Sequence, residues 1–221
     1  MKKRRTWLMA VLLAGVAFQG SPDARAQEAG RREELSKVLD RINDPDPLMR
    51  IAVLEEVLAR GNATEMQLAI KSALSGSDPD LKSLAMRGYA ANLRDLYLDS
   101  AVAKEVQVVL EEADAKDRDA AAARRAISEW RQATGDRLHV RLEKVDAKTG
   151  RFTAYGMNRL NKTDERTAGD GHIVGTRMRM NIGILSLRRC VIELVPTNAL
   201  MLEGSATCDS MPKMLLSMPM Y

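Results

Sequence analysis

The apolar residues change their spacing near Gly135, and this change restricts the folds that the chain can adopt. Before that point they recur every three or four residues, as in Leu35, Val38, Leu39 and Ile42, which is typical of helices that bury one face. After that point they alternate with polar residues, as in strands that bury one face of a sheet. We therefore predict an α+β chain with an N-terminal all-helical region over residues 27–134 and a small antiparallel β-sheet or barrel domain over residues 135–221.

The first 26 residues have the pattern of a secretion signal peptide. Basic residues from Lys2 to Arg5 precede an apolar run over residues 7–18, and Ala24 and Ala26 supply the small residues that a signal peptidase requires. The apolar run is shorter than the roughly 20 residues that cross a bilayer. We predict cleavage before Gln27, a bacterial periplasmic or secreted protein, and no stable membrane insertion after cleavage.

The export route stays open between two alternatives. The segment Lys3-Arg4-Arg5-Thr6-Trp7-Leu8 resembles a twin-arginine export signal, which would imply export of the folded protein. A general-secretion signal with four basic residues is the alternative.

The basic character of the full chain belongs mostly to this leader. The whole sequence has a formal charge of +4, whereas the chain from Gln27 onward carries equal numbers of basic and acidic residues. Binding to nucleic acid relies on a basic surface that neutralises phosphates. The balanced charge therefore argues against a nucleic-acid partner.

Helix-capping signals recur in the N-terminal half. Asp46-Pro47 and Asp78-Pro79 lie 32 residues apart, and each predicts a helix start with an acidic N-cap and proline at the first helical position. Asn62 followed by Glu65 predicts a capping box for the third helix, which starts after Asn62 and ends at Gly76.

The segment Asp78-Pro79-Asp80-Leu81-Lys82-Ser83-Leu84-Ala85 resembles the start of a HEAT-type repeat. Asp46-Pro47-Leu48-Met49-Arg50-Ile51-Ala52-Val53 follows the same pattern, with Val53 at the position where alanine is usual. The resemblance covers about residues 46–93 and implies a solenoid of stacked helix pairs with a protein-binding surface. An ordinary helical bundle with two Asp-Pro caps is the alternative, and neither implies catalysis.

Six strands are predicted in the C-terminal part, over residues 138–142, 151–157, 174–182, 189–195, 200–208 and 214–220. Residues 158–171 are polar and predict a loop. The C-terminal β domain itself resembles no family that we identify from its residues.

The only two cysteines, Cys190 and Cys208, are predicted to form a disulfide within one hairpin. A turn centred near Ala199 makes them face each other, and the same register pairs Ile192 with Ala206 and Leu194 with Gly204. An oxidising compartment would preserve such a bond.

Asp170 and His172, two residues apart, invite a hydrolytic or metal-binding interpretation, but we favour a turn that enters a strand as the explanation of these residues. His139 is expected to be a solvated residue on the polar face of a strand. No Gly-x-Ser-x-Gly or His-Glu-x-x-His motif occurs in the sequence, and we predict no catalytic residues and no cofactor.

Methionine is abundant in the β domain, and thioethers are soft ligands suited to Cu(I). The alternative metal site comprises Met178, Met180, Met214, Met218, Met220 and His172. All five methionines fall on the apolar side of their predicted strands, where methionine also fills space in a core.

The sequence therefore predicts an exported, non-catalytic scaffold that binds another envelope protein through its helical surface. The alternatives are a methionine-rich periplasmic copper-binding protein and, third, an envelope hydrolase centred on Asp170 and His172.

Overall fold

The computed structural model of the protein describes residues 22–60, 62–114, 116–157, 165–184, 188–209 and 211–221. The leader residues 1–21 lie outside this set, as do residues 158–164 of the predicted loop. Six helices precede or interrupt an eight-stranded antiparallel barrel, so the predicted α+β layout is confirmed. The helices are α1 (Pro22–Ile42), α2 (Pro47–Arg60), α3 (Ala63–Ser75), α4 (Pro79–Asn92), α5 (Lys104–Glu112) and α6 (Arg118–Thr134).

The predicted N-caps of α2, α3 and α4 are present, although the Glu65 carboxylate pairs with Arg60 and forms no reciprocal bond with the Asn62 N–H, so the predicted capping box is only half formed among the described residues. The Asp78 carboxylate accepts hydrogen bonds from the backbone N–H groups of Asp80 and Leu81, and Asn62 accepts from the N–H of Glu65 at 3.2 Å. Asp46 accepts from the N–H of Leu48 at 2.9 Å. These bonds satisfy donors that the first helical turn leaves without partners.

Helices α1 to α4 form two stacked helix pairs. Helix α1 packs on α2 and α3 packs on α4, while α1 also contacts α3 and α2 also contacts α4. The Arg50 guanidinium near the start of α2 lies 2.7 Å from the Asp78 carboxylate that caps α4. Farther along, Leu58 of α2 lies against Gly88 of α4. Helices α2 and α4 therefore run side by side in the same direction.

Each strand of the barrel pairs with its sequence neighbours, and β1 closes the barrel by pairing with β8. The strands are β1 (Asp95–Val102), β2 (Arg137–Glu143), β3 (Arg151–Gly156), β4 (Ala168–Val174), β5 (Arg177–Ile184), β6 (Arg188–Pro196), β7 (Met201–Cys208) and β8 (Met214–Pro219).

Two of these strands differ from the sequence-based expectation. Strand β1 lies within residues 27–134, which were expected to be wholly helical, and its residues alternate between buried and exposed. The predicted strand 174–182 is divided, because a turn at Gly175 with φ +59° separates β4 from β5. Strand β4 therefore begins at Ala168, inside the segment expected to be a loop.

Large apolar side chains fill the barrel. Residues of alternate positions point inward and are almost completely buried, among them Leu96, Leu138, Met178, Ile192 and Leu202. An eight-stranded barrel has an interior that side chains can fill completely. The barrel thus forms the core of the molecule and is continuous with the helical core.

The helices cover opposite ends of the barrel. At the end where β1 begins, the Arg87 guanidinium of α4 donates to the carbonyl oxygen of Lys148 at 3.0 Å, in the turn between β2 and β3. At the other end α5 and α6 connect β1 to β2, and Trp130 of α6 is fully buried. No helix among the described residues is long and apolar enough to cross a membrane.

Candidate functional site

Cys190 and Cys208 form the predicted disulfide between β6 and β7. They are directly opposed, with a Cα–Cα distance of 4.1 Å, and the neighbouring pairs Ile192–Ala206 and Leu194–Gly204 also match the predicted register. Both sulfur atoms belong to buried residues of the barrel interior. The bond therefore crosslinks the interior faces of two adjacent strands.

The methionines of the alternative metal site are buried in the core. Met178 and Met180 point inward from β5, and Met214 and Met218 point inward from β8. His172 on β4 is paired with Arg179 and is exposed, so it lies on the opposite face of the sheet from Met178 and Met180. The structure does not bring His172 together with these methionines. Copper binding by the methionines stays a prediction.

Asp170 and His172 both lie on the outer wall of β4. They line an open groove of about 1050 Å³ beside the turn between β2 and β3. No hydrogen bond joins the two side chains, and no group of three or more His, Cys, Asp or Glu residues suited to a metal occurs in the described ranges. A hydrolytic role for this pair stays a prediction.

His139 is buried, contrary to the expectation that it is solvated. It is only 8% exposed, its Nε2 lies 2.8 Å from Asp95 Oδ1, and its ring stacks on Tyr97 at 4.4 Å. The Nε of Arg141 donates to the same Asp95 oxygen at 3.0 Å. This cluster was not predicted from the sequence, because Asp95 and Tyr97 lie within the region 27–134 that was expected to be helical.

Burial acts to raise the pKa of Asp95, but hydrogen bonds from His139 and Arg141 lower it by more, so the net pKa lies below the usual value. Asp95→Asn is therefore expected to lose roughly 1 kcal/mol of unfolding free energy at neutral pH. Because the folded-state pKa is depressed, this contribution is present above the unfolded pKa of about 3.9 and disappears as the pH falls through the lower folded value.

Urea unfolding of the wild type and Asp95→Asn at pH 7 and pH 3 measures this difference. Asp99→Asn is the matched control on the same strand, because its partner Arg137 is 61% exposed and such pairs contribute little. An equal difference between wild type and Asp95→Asn at both pH values would contradict the assignment.

A cleft separates the helices from the end of the barrel, and we name it the junction cleft. Its helical wall comprises Leu35, Thr64, Gln67, Leu68 and Lys71. Its barrel wall comprises Ala199, Leu200, Met201, Pro219 and Tyr221. The volume is about 450 Å³, within the range of roughly 300–1,000 Å³ typical of small-molecule sites.

Two tyrosines contact each other beside this cleft. The rings of Tyr89 and Tyr221 meet edge to face, with centroids 6.3 Å apart. Burial raises the pKa of Tyr221 to about 12, and burial together with the neighbouring Tyr221 raises the pKa of Tyr89 to about 12. Both phenols are therefore neutral at physiological pH. Lys71 carries the only charged side chain among the cleft's lining residues.

No protein-family model, curated protein or solved structure matches this chain. Its features are a filled barrel with an internal disulfide, two stacked helix pairs, and a cleft between the two layers.

Proposed function

We propose that the protein is an exported, non-catalytic binding module of the bacterial cell envelope whose helical surface contacts another protein. The observation that carries the proposal is an exposed apolar pair at the start of α2. Leu48 is 73% exposed and Met49 is 49% exposed. Leu48 is the most exposed of the large hydrophobic residues among the described positions.

The position of this pair favours an interface over incidental exposure. The α1/α2 pair is the outer member of the two stacked helix pairs, and the main contacts of α2 among the described residues are with α1, α3 and α4. In stacked helix-pair arrays each unit is covered by its neighbour, and terminal units carry a polar outer face when they face water. Leu48 and Met49 give this terminal unit an apolar surface instead.

The HEAT-like interpretation of residues 46–93 fits the same proposal. In stacked repeats, equivalent helices pack side by side and run in the same direction, as α2 and α4 do. The basic residue of the first motif, Arg50, forms an ion pair with the acid that begins the second, Asp78. This contact would serve as a connection between consecutive repeats.

Export is supported by the leader pattern and by the disulfide, since such bonds persist in oxidising compartments. In the structure α1 runs across the predicted cleavage position between Ala26 and Gln27. Cleavage there would leave the part of α1 that contacts α2 and α3 intact. Mass measurement of the protein from the envelope should therefore find Gln27 as the first residue.

Photo-cross-linking in intact cells tests the interface. A photoreactive residue at position 48 is expected to give a discrete adduct with one envelope protein, and the double substitution Leu48→Glu, Met49→Glu is expected to remove the interaction. Because both side chains are exposed, the double variant should unfold with nearly the wild-type midpoint.

Position 174 provides the matched control, since Val174 is 69% exposed on the outer wall of the barrel. Equal adducts from positions 48 and 174 would indicate non-specific contact and contradict the proposal. Recovery of the uncut chain from the cytosol would contradict export.

A further inference from the structure

The junction cleft combines an apolar lining with exposure to solvent. Tyr221 is 48% exposed, and Leu35, Leu68, Leu200 and Met201 are partly exposed. These side chains come from two layers that are each packed into the core on their other side. A concave apolar surface between two packed layers, of a size suited to a small molecule, is the usual form of a ligand site.

The lining also contains one cation without a partner. Lys71 is exposed and forms no ion pair or hydrogen bond with any described residue. Several other basic residues of the helical layer are paired, for example Arg41 with Glu56 and Lys37 with Glu33, although Lys82 on α4 also forms no ion pair with a described residue. An unpaired ammonium group beside an apolar surface is complementary to a ligand that carries one negative charge.

Leu200 has an unusual backbone conformation for a leucine. Its φ is +56°, in the left-handed region that disfavours side chains with a Cβ atom. The turn is held by the Leu200 N–H donating to Thr197 O at 3.0 Å and by the Met220 N–H donating to Leu200 O at 3.0 Å. Glycine would adopt this conformation without strain. Leucine at this position places an apolar side chain on the cleft wall at a cost in backbone energy.

The shortage of hydrogen-bonding partners in the cleft favours an aliphatic chain over a peptide as its ligand. Strand β7 is paired with β6 and with β8, so the barrel wall offers no free strand edge for an added peptide. A peptide would also need partners for its N–H and C=O groups, and the uncharged polar side chains of the lining are only Thr64, Gln67 and Tyr221, of which Thr64 already accepts from Arg31 at 3.0 Å. An aliphatic chain needs no such partners and gains free energy with each buried methylene.

We propose that the junction cleft binds a single-chain aliphatic carboxylate, with its chain against Leu68, Leu200 and Tyr221 and its carboxylate at the Lys71 ammonium group. This site is separate from the Leu48–Met49 surface, and binding at one does not require the other.

Calorimetric titration of the exported chain with octanoate, decanoate and dodecanoate, each below its micelle concentration, tests the proposal. Affinity is expected to rise roughly threefold per added methylene until the chain exceeds the cleft. Decanoate should bind more tightly than decanol, and a decyl trimethylammonium ion should bind most weakly. Lack of binding by all three carboxylates up to millimolar concentration would overturn the proposal.

Two variants separate the contributions of charge and shape. Lys71→Met is expected to weaken decanoate about fivefold and leave decanol unchanged, whereas Lys104→Met on α5, at the other end of the barrel, should change neither. Leu200→Gly is expected to weaken both ligands while keeping or raising the thermal midpoint, since it relieves the backbone strain.

Three outcomes would contradict the assignment. Unchanged decanoate binding in both Lys71→Met and Leu200→Gly would place the ligand elsewhere. Binding to vesicles of anionic phospholipid without binding to free carboxylates would indicate a membrane contact instead. A preference for apolar peptides over decanoate would indicate a peptide groove.

Discussion

Replacing Trp130 by alanine is expected to lower the free energy of unfolding by about 3–5 kcal/mol, the range observed for removal of a large buried aromatic side chain. Trp130 lies on α6 and is fully buried. Its indole N–H donates to the Ser100 hydroxyl at 3.2 Å. Ser100 follows Leu96 and Leu98 at inward-facing positions of β1, so the indole lies at the mouth of the barrel. Its removal leaves a cavity that the paired strands around it are unable to close.

Urea unfolding followed by circular dichroism measures this loss. Tryptophan fluorescence is unsuitable, because the variant lacks the buried tryptophan whose emission would follow unfolding. Trp130→Phe is the matched control: it keeps most of the ring and loses the hydrogen bond to Ser100, so a loss of roughly 1 kcal/mol is expected. In the chain that begins at Gln27, Trp130 is the single tryptophan, and its emission should be that of an indole shielded from water. A loss below about 1 kcal/mol for Trp130→Ala would contradict the view that α6 closes the barrel.

The hairpin of β6 and β7 was predictable residue by residue, and its neighbours show why. Cys190 and Cys208 restrict the register, and the apolar residues Ile192, Leu194 and Ala206 at alternate positions of the two strands restrict the same register independently. Two local constraints that agree leave one solution. The capped starts of α3 and α4 were predictable for a related reason, since Asn62 and Asp78 act on backbone donors within three residues.

Strand β1 was missed although its sequence carries a strand pattern. Leu96 and Leu98 alternate with Tyr97 and Asp99, but the run is short and lies between helices with stronger signals. Its stability comes from pairing with β2 and β8, which are about 40 and 115 residues away along the chain. Local preference carries no information about partners at that separation.

Close approach between strands was equally hidden in the sequence. A Cβ atom added at Gly169 would lie 1.7 Å from the carbonyl oxygen of Asn181, and one added at Gly204 would lie 1.8 Å from that of Glu193. Glycine at these positions lets neighbouring strands coil tightly enough to close the barrel. The glycines are visible in the sequence, but the sequence does not indicate which neighbouring strand lies against each of them.

The candidate sites also differ in this way: a site within one hairpin was predictable from the sequence, and sites formed by distant residues were not. The disulfide lies within one hairpin and was predicted, whereas the junction cleft joins residues near position 70 to residues near position 200. The buried pair of Asp95 and His139 likewise joins two strands whose pairing was not foreseen. Sites assembled by the closure of the barrel become visible only once that closure is known.

Removing the disulfide with Cys190→Ala and Cys208→Ala is expected to lower the free energy of unfolding by about 3 kcal/mol. The two cysteines are 18 residues apart, and the crosslink restricts the unfolded chain over a loop of that length. Both cysteines are also buried, so the alanines remove two sulfur atoms from a packed interior and add a smaller packing loss. The total should therefore exceed the effect of the crosslink alone.

Thermal unfolding of three samples separates these two contributions: the oxidised wild type, the wild type reduced after unfolding and refolded with reductant, and the double alanine variant. The reduced wild type measures the crosslink, because its sulfur atoms remain in the interior. The additional decrease in the double variant measures the packing of the sulfur atoms. Because the folded protein shields the bond, reductant added to the native state should act only at the rate of unfolding. Two free thiols in protein isolated from the envelope, or equal midpoints for the oxidised and reduced wild type, would contradict a structural role for the bond.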